Sequence, residues 1–534
     1  MPKLTHLFLL TGCMIFASNL FAATYYVDYS TGSDGNNGTS KTTPWQHAPG
    51  MQTCTSLCKS TTIKAGDSII LKGGVTWPNA SFQWSLPGGA VGNPVYVGVD
   101  KTWYTGSSWT RPILTAGGTL ITNNNDTMFW VPGYVTVDNF EITGFYWNSS
   151  CVGLSYGSCS VFEAGQYSGQ TWENLYVHGW THAGTDGSTS SGATSIVALG
   201  GTGSTVAHDN VIDGSDVPGD HSATAFFNGP SIAYNNYIRQ VASGFISTGS
   251  TSIHDNYITD VGPAYCNMPV TKYAGNCTHE NGFEDNADSG LNFYNNVISN
   301  VSVGLAVWIA PYPGYTATMW NNVIYAIHDN QVFGVAPPVY SSTYCAGKTS
   351  NGYCSAAGSY VIYNNTIECG DDTTQYDVCQ SGVGVVGSGS IAASVVYQNN
   401  HFISASTASG CATGTGAATS CTFGSSNVIQ TLATAMKQGY NSSQTYAFSP
   451  TSSSDATVKV GSNLALYASG NLASLGSDTT YACTDGSGSQ TSCSARTSVS
   501  RPVASGGSWD AGAYSFMQPS APLSLTGDVT TLPQ

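Results

Sequence analysis

The stretch Ala207–Asn300 decides the fold. It contains AHDNVIDG, AYNNYIRQ, IHDNYITD and FYNNVISN, four copies of one unit with a fixed asparagine at Asn210, Asn236, Asn256 and Asn296. Each copy sets an aromatic residue or His, then Asp or Asn, then the fixed Asn, then a pair that is mostly β-branched or aromatic. Earlier copies are VDNFEITG (Asn139) and WENLYVHG (Asn174); later ones are WNNVIYAI (Asn322), YNNTIECG (Asn365) and QNNHFISA (Asn400). The spacing of the fixed Asn runs from 20 residues (236 to 256) to 43 (322 to 365). A constant core with variable inserts is the signature of a solenoid.

The unit has a physical reading. A short strand such as Val211-Ile212 follows a tight bend, and Asn tolerates the left-handed backbone that bends require. The Asn amide carries donors and an acceptor, so amides stacked coil on coil can form an internal ladder. Val and Ile stack likewise and fill an apolar bore. The chain is rich in Gly, Ser, Thr and Asn and lacks any long 3.6-residue period, which excludes a helical solenoid. The expected fold class is all-β, a single solenoid of stacked coils.

This pattern resembles the right-handed parallel β-helices of the pectin-lyase-like superfamily. Three stretches add to the resemblance: Thr24–Trp45 (TYYVDYSTGSDGNNGTSKTTPW), Ile63–Trp77 (IKAGDSIILKGGVTW) with Gly92–Gly98 (GNPVYVG) after it, and Ser508–Phe516 (SWDAGAYSF). They look like the N-terminal lead-in, the first coil and the closing strand of secreted carbohydrate-active members. The superfamily's catalytic motifs are missing. There is no polygalacturonase-like NTD, DD, GHG and RIK series, and Val307-Trp308-Ile309 is followed by Ala310 rather than by the Asp-His of pectate lyases. No alginate-lyase-like Ser-x-Lys-Ser or Arg-His-Gly occurs either, so no catalytic residue transfers by motif.

The expected organisation is a signal peptide over 1–23, a β-helix over 24–516 and a loose tail over 517–534. Within the β-helix, 24–60 is lead-in and cap, and 405–516 holds the C-terminal coils and closing strand. Lys3, the apolar run from Leu7 and the small Ala22-Ala23 form the secretion signal. An alternative is a lipoprotein box, LTGC, ending at Cys13. No later stretch is apolar for long enough to span a bilayer. Charged residues make up 8% of the 534-residue chain against 11% aromatics, which marks a folded, neutral-surfaced protein. The formal net charge of −16 argues against nucleic acid and anionic membranes as partners. A monomer that meets a polysaccharide or other glycan outside the cytoplasm is expected.

Without Cys13, fourteen of the 15 cysteines remain, and they fall into sequence neighbours. Cys54 groups with Cys58, Cys151 with Cys159, Cys266 with Cys277, and Cys345 with Cys354. Further on, Cys369 groups with Cys379, Cys411 with Cys421, and Cys483 with Cys493. Sequence does not fix connectivity, but the grouping points to seven local staples in an oxidising compartment.

Regular coils need polar residues only at bends, so chemistry is sought where charge and His exceed that need. Aligned on the fixed Asn, Asp220 and His221 fall near His279 and Glu280, with Glu284, Asp285 and Asp288 next along the chain. Arg239 leads into the intervening coil and Lys272 lies in the insert above. Trp308, Tyr312 and Tyr315 are expected to project from the following coil as sugar platforms. Two carboxylates on neighbouring coils fit acid and base across a glycosidic bond, with a His tuning one of them. The competing reading is that these acids bond to backbone amides at bends. His178 and His182 with Asp186 form a second polar patch, for which a surface bend is the simpler account. No cofactor or metal is required. Ca2+ at Asp371-Asp372 and Asp377 is the one cation site considered, against a solvated loop.

Three functions fit: a glycoside hydrolase on a neutral or weakly charged polysaccharide, slightly favoured; a polysaccharide lyase on a uronate polymer, pectate- or alginate-lyase-like; and a non-catalytic adhesin or glycan-binding β-helix. A lyase must neutralise a uronate, for which Arg239 and Lys272 are the nearby cations.

Overall fold

The computed structural model describes residues 22–78, 84–118, 120–121, 128–147, 159–165, 167–182, 194–199, 204–216, 223–247, 249–261, 281–302, 306–311, 314–328, 333–334, 358–368, 394–404, 420–482, 495–504 and 506–517. Among them three long sheets form, and their ladders are parallel. Sheet I has 13 strands, from Thr24–Val27 to Ser420–Phe423; sheet II has 12, from Thr76–Pro78 to Val428–Thr431; sheet III has nine, from Trp84–Ser85 to Phe333–Gly334. A further three-stranded ladder joins Leu120–Ile121, Tyr146–Trp147 and Thr181–His182. One coil visits the three long sheets in turn. Ala223–Phe227 lies in sheet III, Ile232–Tyr234 in sheet I and Tyr237–Val241 in sheet II, and Ser243–Ser247 starts the next rung of sheet III. This is a parallel β-helix, as the repeat predicts.

Each sheet sends one column of apolar side chains into the bore. Phe226, Phe245, Phe283 and Val307 come from sheet III, Ala233, Ile253, Phe293 and Met319 from sheet I, and Ile238, Ile258, Ile298 and Ile324 from sheet II. All twelve are buried in one continuous core. Strand alternation turns the intervening residues outward.

Sheets I and II meet at a two-residue bend, and there the asparagines work. Asn236 Nδ2 donates to Asn256 Oδ1 at 2.8 Å, and Asn256 Nδ2 donates to Asn296 Oδ1 at 3.0 Å. The ladder runs from Asn210 through Asn322, Asn365 and Asn400 to Asn427. Each rung also ties backbone: Asn256 Nδ2 donates to the carbonyls of Ala233 and His254, and the Asn236 amide donates to Asn256 Oδ1. The left-handed residue is the one before the fixed Asn, as at Asp209 (φ 54°), Asn235 (φ 53°) and Asp255 (φ 53°). Asn139 and Asn174 hold that left-handed position themselves (φ 61° and 55°). They are therefore one place out of register with the ladder, and Phe140 and Leu175 fill the inward site instead. The ladder ends where the Leu175 amide donates to Asn210 Oδ1.

Outside the same bend, sheet I carries stacked rings. His208, Tyr234, His254, Tyr294 and Trp320 lie with centroids 4.7, 5.2, 4.6 and 4.4 Å apart.

At the N-terminal end, Thr24–Val27 pairs with Ser68–Gly73, and buried Trp45 stacks on Tyr25 at 4.9 Å. Cys54 and Cys58 form a disulfide beside the short helix Ser56–Ser60. Of the seven expected staples, this is the one whose two cysteines are both described. Cys159 begins a strand of sheet III, and Cys421 is disulfide-bonded. Their expected partners, Cys151 and Cys411, lie outside the described residues. So do both members of four expected pairs: Cys266 and Cys277, Cys345 and Cys354, Cys369 and Cys379, and Cys483 and Cys493.

The C-terminal region corrects an expectation. After Val428–Thr431 the chain forms the helix Leu432–Lys437, capped where Thr431 Oγ1 accepts from the Thr434 amide. It then returns over the outside of earlier coils. Trp320 Nε1 donates to Ser474 Oγ (3.1 Å), Arg501 Nη2 to Asn321 Oδ1 (3.2 Å), and Thr480 Oγ1 to Asp255. Ser508–Phe516 adds no closing strand. Trp509 makes a single antiparallel bridge to Gly461 and is buried with Leu464, Leu475, Trp320 and Tyr363. Aromatic packing and hydrogen bonds such as the Gly512 amide to the Asn399 carbonyl hold this segment, while the helix Leu432–Lys437 packs against the last strands of sheet II. No helix among the described residues is long and apolar enough to cross a membrane.

Asn256→Ala would leave the Asn236 amide and the carbonyls of Ala233 and His254 without their partner. A loss of about 2–4 kcal/mol is expected, against little change for exposed Asn37→Ala. Chemical denaturation of the two variants measures this, and equal stability would contradict the ladder's role.

Candidate functional site

Sheet III is the place to look, because the inserts 148–158, 183–193 and 262–280 each lead into one of its strands. By register its outward column reads Trp130, Glu163, Ala198, Phe227, Ile246, Glu284, Trp308. Glu284 is only 9% exposed, and its Oε2 accepts from Asn281 Nδ2 at 2.5 Å. Trp308 is its partner on the next rung. Glu163 is half-buried and accepts from Ser160 Oγ at 3.2 Å. Glu163 and Glu284 are four rungs apart, about 19 Å. That exceeds the carboxylate separations used to cleave a glycosidic bond, so the two do not act as a pair.

Several residues singled out in the sequence lie outside the described residues: Asp220, His221, Lys272, His279, Glu280 and Tyr312, as well as Asp186, Asp371, Asp372 and Asp377. Their described neighbours in sequence are informative. Ala223 opens a strand of sheet III and Asn281 closely precedes another, Phe283–Asp288, two rungs on. Asp285 follows the simpler expectation for acids at bends. It is fully buried, and its carboxylate accepts from the amides of Gly249 (3.1 Å) and Ser250 (2.8 Å).

Arg239 is not beside Glu284. It stands on sheet II, where Nη2 meets Asp213 Oδ2 at 2.6 Å and Ser215 Oγ at 3.0 Å. The pairing holds Asp213 below the usual carboxylate range: burial opposes ionisation, but hydrogen bonds from Arg239 and Ser215 outweigh it. The reason is phase around the coil. Arg239 lies three residues past Asn236, which is sheet II, whereas Glu284 lies 12 before Asn296, which is sheet III. Trp308 also departs from expectation, being only 7% exposed. It walls Glu284 rather than offering a free face. Tyr315 is 47% exposed, at the corner before Thr316–Trp320.

Glu163 and Trp130 went unread in the sequence. A signal exists, since Glu163 precedes Leu175 by 12 residues, as Glu284 precedes Asn296. It becomes visible only when Leu175, not Asn174, is given the ladder position.

Two histidines link coils through acids. His178 Nδ1 meets Asp216 Oδ2 (2.5 Å) and Nε2 meets Glu141 Oε1 (3.2 Å). His208 lies 2.7 Å from Asp209 and 2.9 Å from Glu173. Burial lowers the affinity of each ring for a proton, but the carboxylates outweigh it and raise both, His208 to about 9. Among the described residues no group of three His, Cys, Asp or Glu is arranged to hold a metal ion.

No protein-family model matches the sequence, and no curated protein does. Solved structures align with it at low identity. A pectate lyase, Pel9A, aligns over 92% of this chain and 96% of its own at 15% identity and a TM-score of 0.39. XylC in complex with xylose covers 71% and 75% at 13% identity and 0.40. A GH136 lacto-N-biosidase from Eubacterium ramulus covers 77% and 68% at 11% identity and 0.36.

The His208 pairing makes a pH prediction. A raised folded-state pKa means that its contribution is complete below about 6.5. It is lost as pH rises through about 9. Between pH 7 and 10 the melting temperature of the wild type should therefore fall more than that of His208→Gln; parallel profiles would refute the linkage. In fold, the chain is a parallel β-helix.

Proposed function

We propose that this chain is a carbohydrate-active β-helix that lays a neutral or weakly charged polysaccharide along the outer face of sheet III and hydrolyses it beside Glu284. The observation that supports it most is Glu284 itself, a carboxylate on an otherwise apolar stretch of the outward column, oriented by Asn281 and walled by Trp308. Glu284 is assigned the base, and Asp220 or Glu280 the acid, with His221 and His279 setting their charge; the described chain next to both acids opens strands of this sheet.

The charge of the face favours hydrolysis over elimination. The outward column of sheet III carries Glu163 and Glu284, and its strands contain no Lys, Arg or His. Arg239 is committed to Asp213 on another sheet. A uronate polymer would therefore meet like charge there, unless Lys272 in the 262–280 insert offsets it.

The test is a panel of neutral and uronate polysaccharides. New reducing ends without ultraviolet absorbance are expected. Unsaturated, absorbing ends would assign a lyase instead, and binding without turnover an adhesin. Glu284→Gln should lower turnover by roughly 10²–10⁴-fold and leave the melting temperature unchanged. A variant that cleaves at the wild-type rate would remove Glu284 from the chemistry.

A further inference from the structure

We propose that Trp130 and Tyr167 form a second sugar-binding station at the far end of the sheet III face, which holds outlying units of the same neutral polysaccharide strand. The identity of the ligand rests on the function proposed above.

Trp130 is 45% exposed and Tyr167 59%. For a tryptophan, the exposure of Trp130 stands out in a chain that buries Trp45, Trp77, Trp84, Trp172, Trp180, Trp320 and Trp509 completely. The strand places the ring outward: Phe129 next to it stacks on Phe162 in the core at 4.5 Å, so Trp130 takes the opposite face. Its partner on the adjacent rung is Glu163.

Tyr167 lies in the corner that follows Glu163, where its amide donates to the Ala164 carbonyl at 3.3 Å. This corner packs against the one that follows Trp130. A Cβ built on Gly133 would sit 3.0 Å from the Ser168 carbonyl oxygen and 3.7 Å from Tyr167 Cβ. Two exposed aromatics and a carboxylate thus lie on adjacent coils, Trp130 and Glu163 paired at the strand ends and Tyr167 in the corner that follows. Exposed aromatic faces suit the apolar faces of pyranose rings, and a carboxylate beside them suits ring hydroxyls.

The column also fixes direction and length. Trp130 and Glu284 are five rungs apart, about 24 Å. An extended pyranose chain advances by about one rung per unit. A strand lying along the axis then meets Glu284 with one unit and Trp130 with another about five units away. The acids of this face disfavour a polyanionic strand. The enzyme would therefore cut within long neutral chains and gain affinity from units remote from the bond it breaks.

Affinity electrophoresis in gels cast with xylan, glucomannan or mixed-linkage β-glucan tests this without need of turnover. The wild type should be retarded in at least one gel. Trp130→Ala and Tyr167→Ala should each weaken retardation by about tenfold, with unchanged thermal melts, and Glu284→Gln should run as the wild type. With graded oligosaccharides of the retarding polymer, wild-type kcat/KM should rise up to about six units. Trp130→Ala should lose that rise yet match the wild type on the shortest substrate. If no gel retards the wild type, or both aromatic variants run with it in every gel, the station does not exist. A different outcome, loss of retardation in Trp130→Ala with Glu284→Gln fully active, would sink the catalytic assignment and leave the station standing.

Discussion

The side-chain ladder at the bend between sheets I and II is the constraint on which the rest depends. A parallel coil must turn sharply three times, and each turn strips backbone groups of ladder partners. At two of the corners the chain is free to vary, and inserts of very different length occur there. At the third, Asn236 and its equivalents satisfy the carbonyls of the preceding strand and the amide of the preceding coil together. A buried amide with every donor and acceptor used is specific as well as stabilising, because any slip in register leaves several polar groups unpaired. Freedom at two corners is possible because the third has none.

That asymmetry governs where function can reside. Sheet III begins and ends at variable corners, so its outer face can acquire walls and charge without disturbing the bore. Sheet I, next to the ladder, is committed to structure. Its outer rings stack on each other from His208 to Trp320, and its far half is covered by the returning C-terminal segment. The carboxylates divide in the same way. Asp285, turned towards the bend, binds two amides, whereas Glu284, one residue earlier, stands in the outward column of sheet III.

The fold was legible because its rule repeats. Asn210, Asn236, Asn256 and Asn296 meet the same local demand on each turn, and the alternation of Ile and Val around them names the bore. Registration was legible only where the inward residue is Asn; at Phe140 and Leu175 the pattern continues in apolar form, and Asn139 and Asn174 point one place away. The site was legible only in part. Glu284 belongs to a strand and so follows the period, while the acids paired with it in the sequence reading belong to inserts, which have none. Arg239 was misplaced because proximity to the fixed Asn was read as proximity to the groove, when three residues past that Asn the chain has already crossed to another sheet. The C-terminal segment escaped altogether, because its contacts are aromatic and long-range and leave no periodic trace.

That returning segment changes what kind of object the molecule is. A solenoid with contacts only between adjacent turns resembles a one-dimensional array, in which opening can start at an end and spread turn by turn. Here residues near position 480 grip Asp255, and Arg501 grips Asn321, across 225 and 180 positions of chain. The turns between them are tied in parallel as well as in series, so that half must open as one cooperative block while the N-terminal half keeps the freedom to fray. The tie also leaves the ribosome after the turns it grips. The tethered turns must therefore stand on the ladder alone until the tie has been made, which places a premium on the Asn contacts during that interval.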